Sequence, residues 1–190
     1  MVFLEIPRLE TPRLILRKLR LSDTEDYFAR LGSSPDVTKG LTFEPHKDIS
    51  ESVASIEKAL RRYEAGGCYR WAVALPQDDR IIGVMELLKF DEERETCSFA
   101  YMFGKDYWGQ GYGTEALRAA MEFAFTRLGV RKIEVDHFSD NPASGAVMRK
   151  VGMKYVGTIP GKYEKSGEKK DAVCYSMTKE QFLGTGTVHP

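Results

Sequence analysis

Residues 107–116 read Tyr-Trp-Gly-Gln-Gly-Tyr-Gly-Thr-Glu-Ala, a glycine-dense turn between an apolar run and an amphipathic segment. Upstream, residues 97–103 form a short β-type run rich in aromatics and closed by Gly104. Downstream, Leu117, Ala120, Met121, Ala124 and Leu128 recur at helical spacing, which predicts a helix over 114–128. A strand feeding a glycine turn that opens a helix aims unpaired backbone N–H groups, and the positive end of the helix dipole, at one point. Such a point binds phosphate or diphosphate, and the glycines let a ligand approach the main chain with no Cβ in the way. A tight structural turn is the plainer reading of the same residues.

Spacing narrows the ligand. The dinucleotide fingerprint G-x-G-x-x-G fails, because Gly109 and Gly111 are followed by Thr114 where the third glycine belongs. The nucleotide-triphosphate loop fails too, since no lysine follows a glycine of this turn. What remains is Gly111-x-Gly113 at a strand-to-helix junction.

Working outward, residues 14–19 read as a strand, and Ser22-Asp-Thr-Glu25 as a capping box opening a helix to about Leu31. Residues 32–47, with prolines at 35 and 45, read as irregular. Asp48-Ile-Ser-Glu51 is a second capping box, followed by a stripe of Val53, Ile56, Leu60 and Tyr63, and Gly66-Gly67 ends that helix. Strands are predicted over 69–75 and 80–90, joined by the turn Pro76-Gln-Asp-Asp79, then over 131–138, 153–157 and 172–177. A short helix is predicted over 144–151. No repeat or linker interrupts the pattern, so a single α/β domain over 1–183 with a loose tail at 184–190 is expected.

Composition agrees with one cytoplasmic domain. The 190 residues are 42% hydrophobic and 29% charged, with 28 Lys+Arg against 28 Asp+Glu, so no overall field favours nucleic acid or membrane. Three cysteines, Cys68, Cys97 and Cys174, fit reduced thiols better than a disulfide frame, and no metal-ligand spacing is present. Neither a signal peptide nor a membrane span is readable.

On these residues the chain resembles the GNAT superfamily of acetyl-CoA-dependent N-acetyltransferases, whose diphosphate loop is [QR]-x-x-G-x-[GA]. Gly111 and Gly113 match its glycines, while Trp108 stands at its [QR] position. The wider string resembles the Rim-type branch, which contains enzymes that acetylate ribosomal-protein N-termini. Glu10-Thr-Pro-Arg-Leu-Ile-Leu-Arg17 is similar to that branch's opening. Asn141-Pro-Ala-Ser144 through Lys150-Val-Gly-Met153 is similar to its N-x-x-S…E-K-x-G-F block, and Asp171-Ala-Val-Cys-Tyr-Ser176 to its last strand. The resemblance implies the GNAT acyl-CoA N-acyltransferase fold, an α/β (α+β) architecture with a central mixed, mostly antiparallel sheet flanked by helices. It implies direct attack of an amine on acetyl-CoA, the acceptor being a peptide or protein N-terminal α-amine. A small amine (polyamine, amino-acid derivative or aminoglycoside) and a non-catalytic acyl-CoA-binding module are the alternatives. The family is found as monomers and homodimers, and either is expected here.

The resemblance also assigns residues. The backbone of Tyr101, Met102 and Phe103 pairs with the acetyl and pantetheine groups and offers an N–H to the developing oxyanion. Gln110, Gly111, Tyr112, Gly113 and Thr114 cradle the diphosphate. Asn141 contacts the pantetheine arm, and Ser144 contacts the cofactor and is a candidate acid for the leaving thiolate. A helix cap explains Asn141 and Ser144 equally well without function. Met148 stands where many members carry a tyrosine acid, and Val156 replaces a glutamate common in the Rim-type branch. The candidate base is Glu86, because Ile82-x-Val84-x-Glu86-x-Leu88 puts it on a strand face with three apolar side chains, where desolvation raises a carboxyl pKa. A fraying strand that lets Glu86 reach water is the alternative. His137, alternating with Ile133 and Val135, reads as an inward-pointing core histidine before a catalytic one.

Overall fold

The computed structural model describes residues 5–184. Its frame is an eight-stranded sheet in the order β1-β2-β3-β4-β5-β6-β8-β7. Strands β1 (Leu9–Glu10), β2 (Ile15–Lys18), β3 (Arg70–Ala74), β4 (Ile81–Asp91) and β5 (Thr96–Phe103) make an antiparallel meander. β6 (Lys132–Phe138) runs parallel to β5, and a hairpin of β7 (Lys154–Lys165) and β8 (Glu168–Thr178) closes beyond it. A parallel pair needs a crossover, and α4 (Tyr112–Arg127) supplies it. The expected mixed, mostly antiparallel sheet flanked by helices is the observed one.

Each face of the sheet buries its own core. On one face Leu117 and Met121 of α4 pack over Leu16, Trp71, Met85, Phe99 and Ile133. On the other face α3 (Ile49–Ala65) covers Leu19, Tyr27, Leu31, Ile56, Ala72 and Val84. Asp48 caps α3 by accepting from the Ser50 N–H at 2.8 Å, and Gly66 ends it at φ 83°, a left-handed value that a Cβ resists. The buried face of α3 runs through Ser52, Ile56 and Ala59, so the stripe expected through Val53 and Leu60 is rotated by about one position, leaving both half-buried.

Other differences have local causes. The first capping interaction is made by Asp23, whose Oδ2 accepts from the Arg20 N–H at 2.8 Å, not by Ser22. Asp23 is drawn there because it also receives both terminal nitrogens of Arg17, at 2.8 and 2.9 Å, while Arg17 Nε reaches Asp79 at 2.7 Å. After α1 (Thr24–Tyr27) the chain widens into a π-helical turn over Phe28–Gly32. The stretch read as irregular holds a short α2 (Pro35–Thr38), capped by Ser34 and opened by the proline at its first position. The β7–β8 hairpin is longer than expected, because Ser166 and Gly167 adopt the left-handed conformations of a tight turn at its tip. A last helix, α6 (Lys179–Gly184), takes up the start of the expected tail, and residues 185–190 lie outside the described residues.

One detail of the sheet positions the site. β5 and β6 pair at Thr96–Lys132 and Cys97–Ile133 and then diverge. Along Tyr101–Phe103 the β6-facing edge of β5 is therefore parted from β6, and the Phe103 carbonyl there accepts from Trp108 Nε1 at 2.7 Å.

Candidate active site

A cavity of about 450 Å³ opens at this divergence. Its floor is Tyr101, Met102 and Phe103; one wall is the glycine turn with the start of α4; the other is Asn141 with α5 (Pro142–Lys150). Gly111, the residue before α4, holds φ 85°, and Gly109 holds φ 75°. Left-handed backbone at both positions coils the turn so that the first N–H groups of α4 remain free of helical partners. Gly113 has a different reason to be glycine. A Cβ there would point between Phe103 and Val147 at 3.4–3.5 Å, on the cavity wall, whereas a Cβ at Gly111 would point towards Arg13.

Asn141 caps α5: its Oδ1 accepts from the Ser144 N–H at 3.4 Å, and its Nδ2 donates to Ser144 Oγ at 3.1 Å. With one lone pair of Oγ occupied by that donor, the Ser144 hydroxyl proton is free to be donated elsewhere. The Tyr101 phenol donates to the Ser144 carbonyl at 3.1 Å, tying the strand to the helix, and burial pushes it above the usual tyrosine range. Asn141 also packs closely on Gly40: a Cβ there would fall 2.2 Å from Asn141 Nδ2, so a side chain fits only if Asn141 moves.

All the residues assigned to the cofactor line this cavity except Gln110, whose side chain turns away to donate to the Asp106 carbonyl at 2.8 Å. Glu86 lies outside the lining. A bulge between the Val73–Gly83 and Ala74–Ile81 pairs sends Ile82 into the α4 core, while Val84 stays on the α3 face. Glu86, two residues on from Val84 in unbroken register, shares the α3 side of the strand and is met by guanidinium groups from α3 and β3: Arg62 at 2.6 Å and Arg70 at 3.6 Å. The apolar surroundings expected of it are replaced by an ion-pair cluster. Met148 is a core residue, 1% exposed. His137 is buried, with Nδ1 on the Phe138 carbonyl at 2.7 Å and Nε2 facing Gly145 without a hydrogen-bond partner. Burial pushes the Cys97 thiol up to about 12, far from nucleophilic use.

Sequence reasoning did not find the wall made by residues 36–41, nor what holds it. Lys165, at the tip of the β7–β8 hairpin, donates to the carbonyls of Thr38 (2.5 Å), Leu41 (2.8 Å) and Phe43 (2.9 Å). That tripod presses Lys39, Gly40 and Leu41 against the cavity. Acidic groups at the mouth are already partnered: Asp36 by Lys105 at 2.7 Å and Asp140 by Lys170 at 3.2 Å. Among the described residues no cluster of metal-ligating side chains is present, and no helix is long and apolar enough to cross a membrane.

A strand edge, a glycine turn opening a helix and a capped helix thus line one cavity. Residues 13–154 match the family described as Acetyltransferase (GNAT) domain, and the chain belongs to that family. It is an N-acetyltransferase that moves an acetyl group from acetyl-CoA to an amine. It is 26% identical over 176 residues to the uncharacterized N-acetyltransferase p20 of Bacillus licheniformis, covering 93% of this chain and 98% of that one. It is 23% identical to the spermidine N(1)-acetyltransferase of Escherichia coli K12, covering 87% and 88%. Among solved structures, a GNAT-family acetyltransferase from Bacillus anthracis superposes with a TM-score of 0.81 at 22% identity, covering 92% and 99%. The Vibrio cholerae spermidine N-acetyltransferase in complex with CoA and spermine superposes at 0.77 and 19%, covering 91% and 99%.

Proposed function

We propose that the acceptor is a peptide or protein N-terminal α-amine, which attacks the thioester directly. The amine nitrogen bonds to the acetyl carbon, the C–S bond breaks, and the proton lost by the amine balances the one taken by the CoA thiolate. In this reading the Gln110–Thr114 backbone cradles the diphosphate, with Gln110 contributing its peptide group alone. Tyr101–Phe103 pair with the pantetheine arm and acetyl group, Asn141 contacts that arm, and Ser144 supplies the thiolate proton. Glu86, outside the cavity lining and held by Arg62 and Arg70, takes no proton itself, and water carries off the amine proton. The enzyme acts as a monomer or homodimer.

The observation that carries the acceptor class is the pairing of acids around the cavity. Asp36 and Asp140 each hold a lysine, and Lys39 and Lys150 border the same cavity, so a polycation meets no free acidic track. An α-amine also suits a site without a nearby side-chain base: with a pKa of about 8, roughly a tenth of it is neutral at pH 7. A lysine-like amine, with a pKa near 10.4, is neutral only about four times in ten thousand. The spermidine-acetylating relative keeps the polyamine reading as the rival. Thiol release from acetyl-CoA across a panel of peptides, spermidine and aminoglycosides decides between them. Peptides turned over best support the proposal, and spermidine turned over best refutes it. Calorimetry of acetyl-CoA on Gly113→Asp tests the cradle, with binding expected to vanish as a carboxylate enters the cavity wall.

A further inference from the structure

The opening motif Glu10-Thr-Pro-Arg-Leu-Ile-Leu-Arg17 has a physical role at the cofactor turn, far away in sequence. Arg13 grips that turn from outside the cavity. Its Nε and Nη2 bind Glu115 Oε2 at 2.7 and 2.6 Å, its own N–H binds Glu115 Oε1 at 3.0 Å, and Nη1 donates to the Gln110 carbonyl at 2.9 Å. The guanidinium lies 4.7 Å from the Tyr112 ring centre, and Thr11 Oγ1 adds a fourth bond to Glu115 at 2.6 Å.

Two consequences follow for a diphosphate in the cradle. Glu115 sits in the first turn of α4, where its charge opposes that of the ligand; the paired guanidinium cancels it. In a trans peptide the C=O and the following N–H point in opposite directions, so a Gln110 carbonyl turned out to Arg13 turns the Gly111 N–H the other way, towards the cavity that Gly111 lines.

We propose that Arg13 is a positioning residue for acetyl-CoA, holding the diphosphate turn in its ligand-ready shape and silencing Glu115. The inference rests on acetyl-CoA being the cosubstrate. Calorimetry with CoA on the full chain tests it. Arg13→Ala is expected to weaken binding about tenfold or more, the scale of a lost charge-assisted pair. Arg13→Ala/Glu115→Gln is expected to recover much of that loss, because the unmatched carboxylate is gone. Glu115→Gln alone, which leaves the cation beside the turn, is expected to tighten CoA by roughly two- to fivefold. The same variants assayed with S-acetylpantetheine, which has no diphosphate, separate positioning from general damage: Arg13→Ala raises KM for acetyl-CoA and leaves KM for the truncated donor unchanged. Unchanged CoA affinity in Arg13→Ala overturns the proposal. So does an equal loss with both donors, or a double variant no better than the single one. Wild-type protein that fails to bind CoA at all would instead refute the choice of cosubstrate.

Discussion

Gly145→Ala sets two effects of opposite sign against each other. Gly145 lies inside α5 with helical backbone, so alanine is allowed and helix propensity favours it by about 1 kcal/mol. The added Cβ, however, would fall 2.6 Å from His137 Nε2 and 3.2 Å from His137 Cε1 and Arg149 Nη1. The ring has little freedom to yield. Its Nδ1 is bonded to the Phe138 carbonyl, and its face stacks on Tyr175 with centroids 5.8 Å apart, while Tyr175 is itself bonded to Arg149 at 2.8 Å. Ordinary carbon contacts begin near 3.5 Å, so α5 and β6 must separate by roughly 1 Å. Overpacking of this kind costs about 1–3 kcal/mol, which outweighs the propensity gain.

Catalysis should suffer more than stability. Ser144 and Asn141 ride on the same end of α5, and a shift of about 1 Å in a reacting constellation costs on the order of a hundredfold. Gly145→Ala is therefore expected to lower kcat/KM by about that factor while the melting temperature falls by only a few degrees, roughly 2–4 per kcal/mol for a chain of this size. Steady-state thiol release and a thermal melt measure both. Removing the obstacle, in Gly145→Ala/His137→Ala, should restore most of the activity. A single variant that gains about 1 kcal/mol and keeps wild-type kinetics would refute the reasoning, because propensity alone would then rule the site.

Arg17→Met should destabilise the fold by about 3–5 kcal/mol in urea titration, because it strands Asp23, itself 7% exposed, without its cation; a loss below about 1 kcal/mol would mean that water reaches the pair. Burial raises the Glu115 carboxyl, but the bonds from Thr11 and Arg13 outweigh it and set the group below its ordinary 4.5. A lowered carboxyl stabilises the fold fully above that ordinary value and less as pH falls through the native one, so the stability gap between wild type and Glu115→Gln should be flat near neutrality and close in acid. A gap that widened in acid would have the wrong sign. Glu86→Gln should slow turnover less than about tenfold, by the same factor at about pH 7 and about pH 9, as fits an ion-paired group outside the cavity. A loss that fades as the amine deprotonates would return Glu86 to the role of base.

What could be read from the chain alone is what short-range chemistry dictates. The glycine turn, the Asp48 and Asn141 caps and the alternation of β6 are each settled within a few residues, so their spacing announces them. Glu86 marks where such reading stops. Alternation does place it on the face of Val84, since the ladder is unbroken from Gly83 to Leu88 and only Ile82 is displaced by the bulge. What the pattern could not show is that Arg62 and Arg70 reach that face. Its partners are then chosen by how α3 docks, which no local pattern encodes.

The same limit governs the cavity wall. Lys165 reads as a charged residue at a hairpin tip, yet it binds the Thr38 carbonyl 127 positions away and so fixes where Lys39 to Leu41 stand. Arg13 and Glu115, 102 positions apart, stood in two separate motifs with nothing local to join them. Each is an ordinary surface residue by composition and a cofactor-turn residue by topology. The antiparallel β1–β2 turn lies beside the start of α4 because the meander leads into the crossover helix, and that route alone brings the two motifs together. Recurrence of both motifs in one chain thus has a physical basis: the arginine is useful where an acid opens the phosphate-binding helix, and the acid is tolerable there where the arginine reaches it.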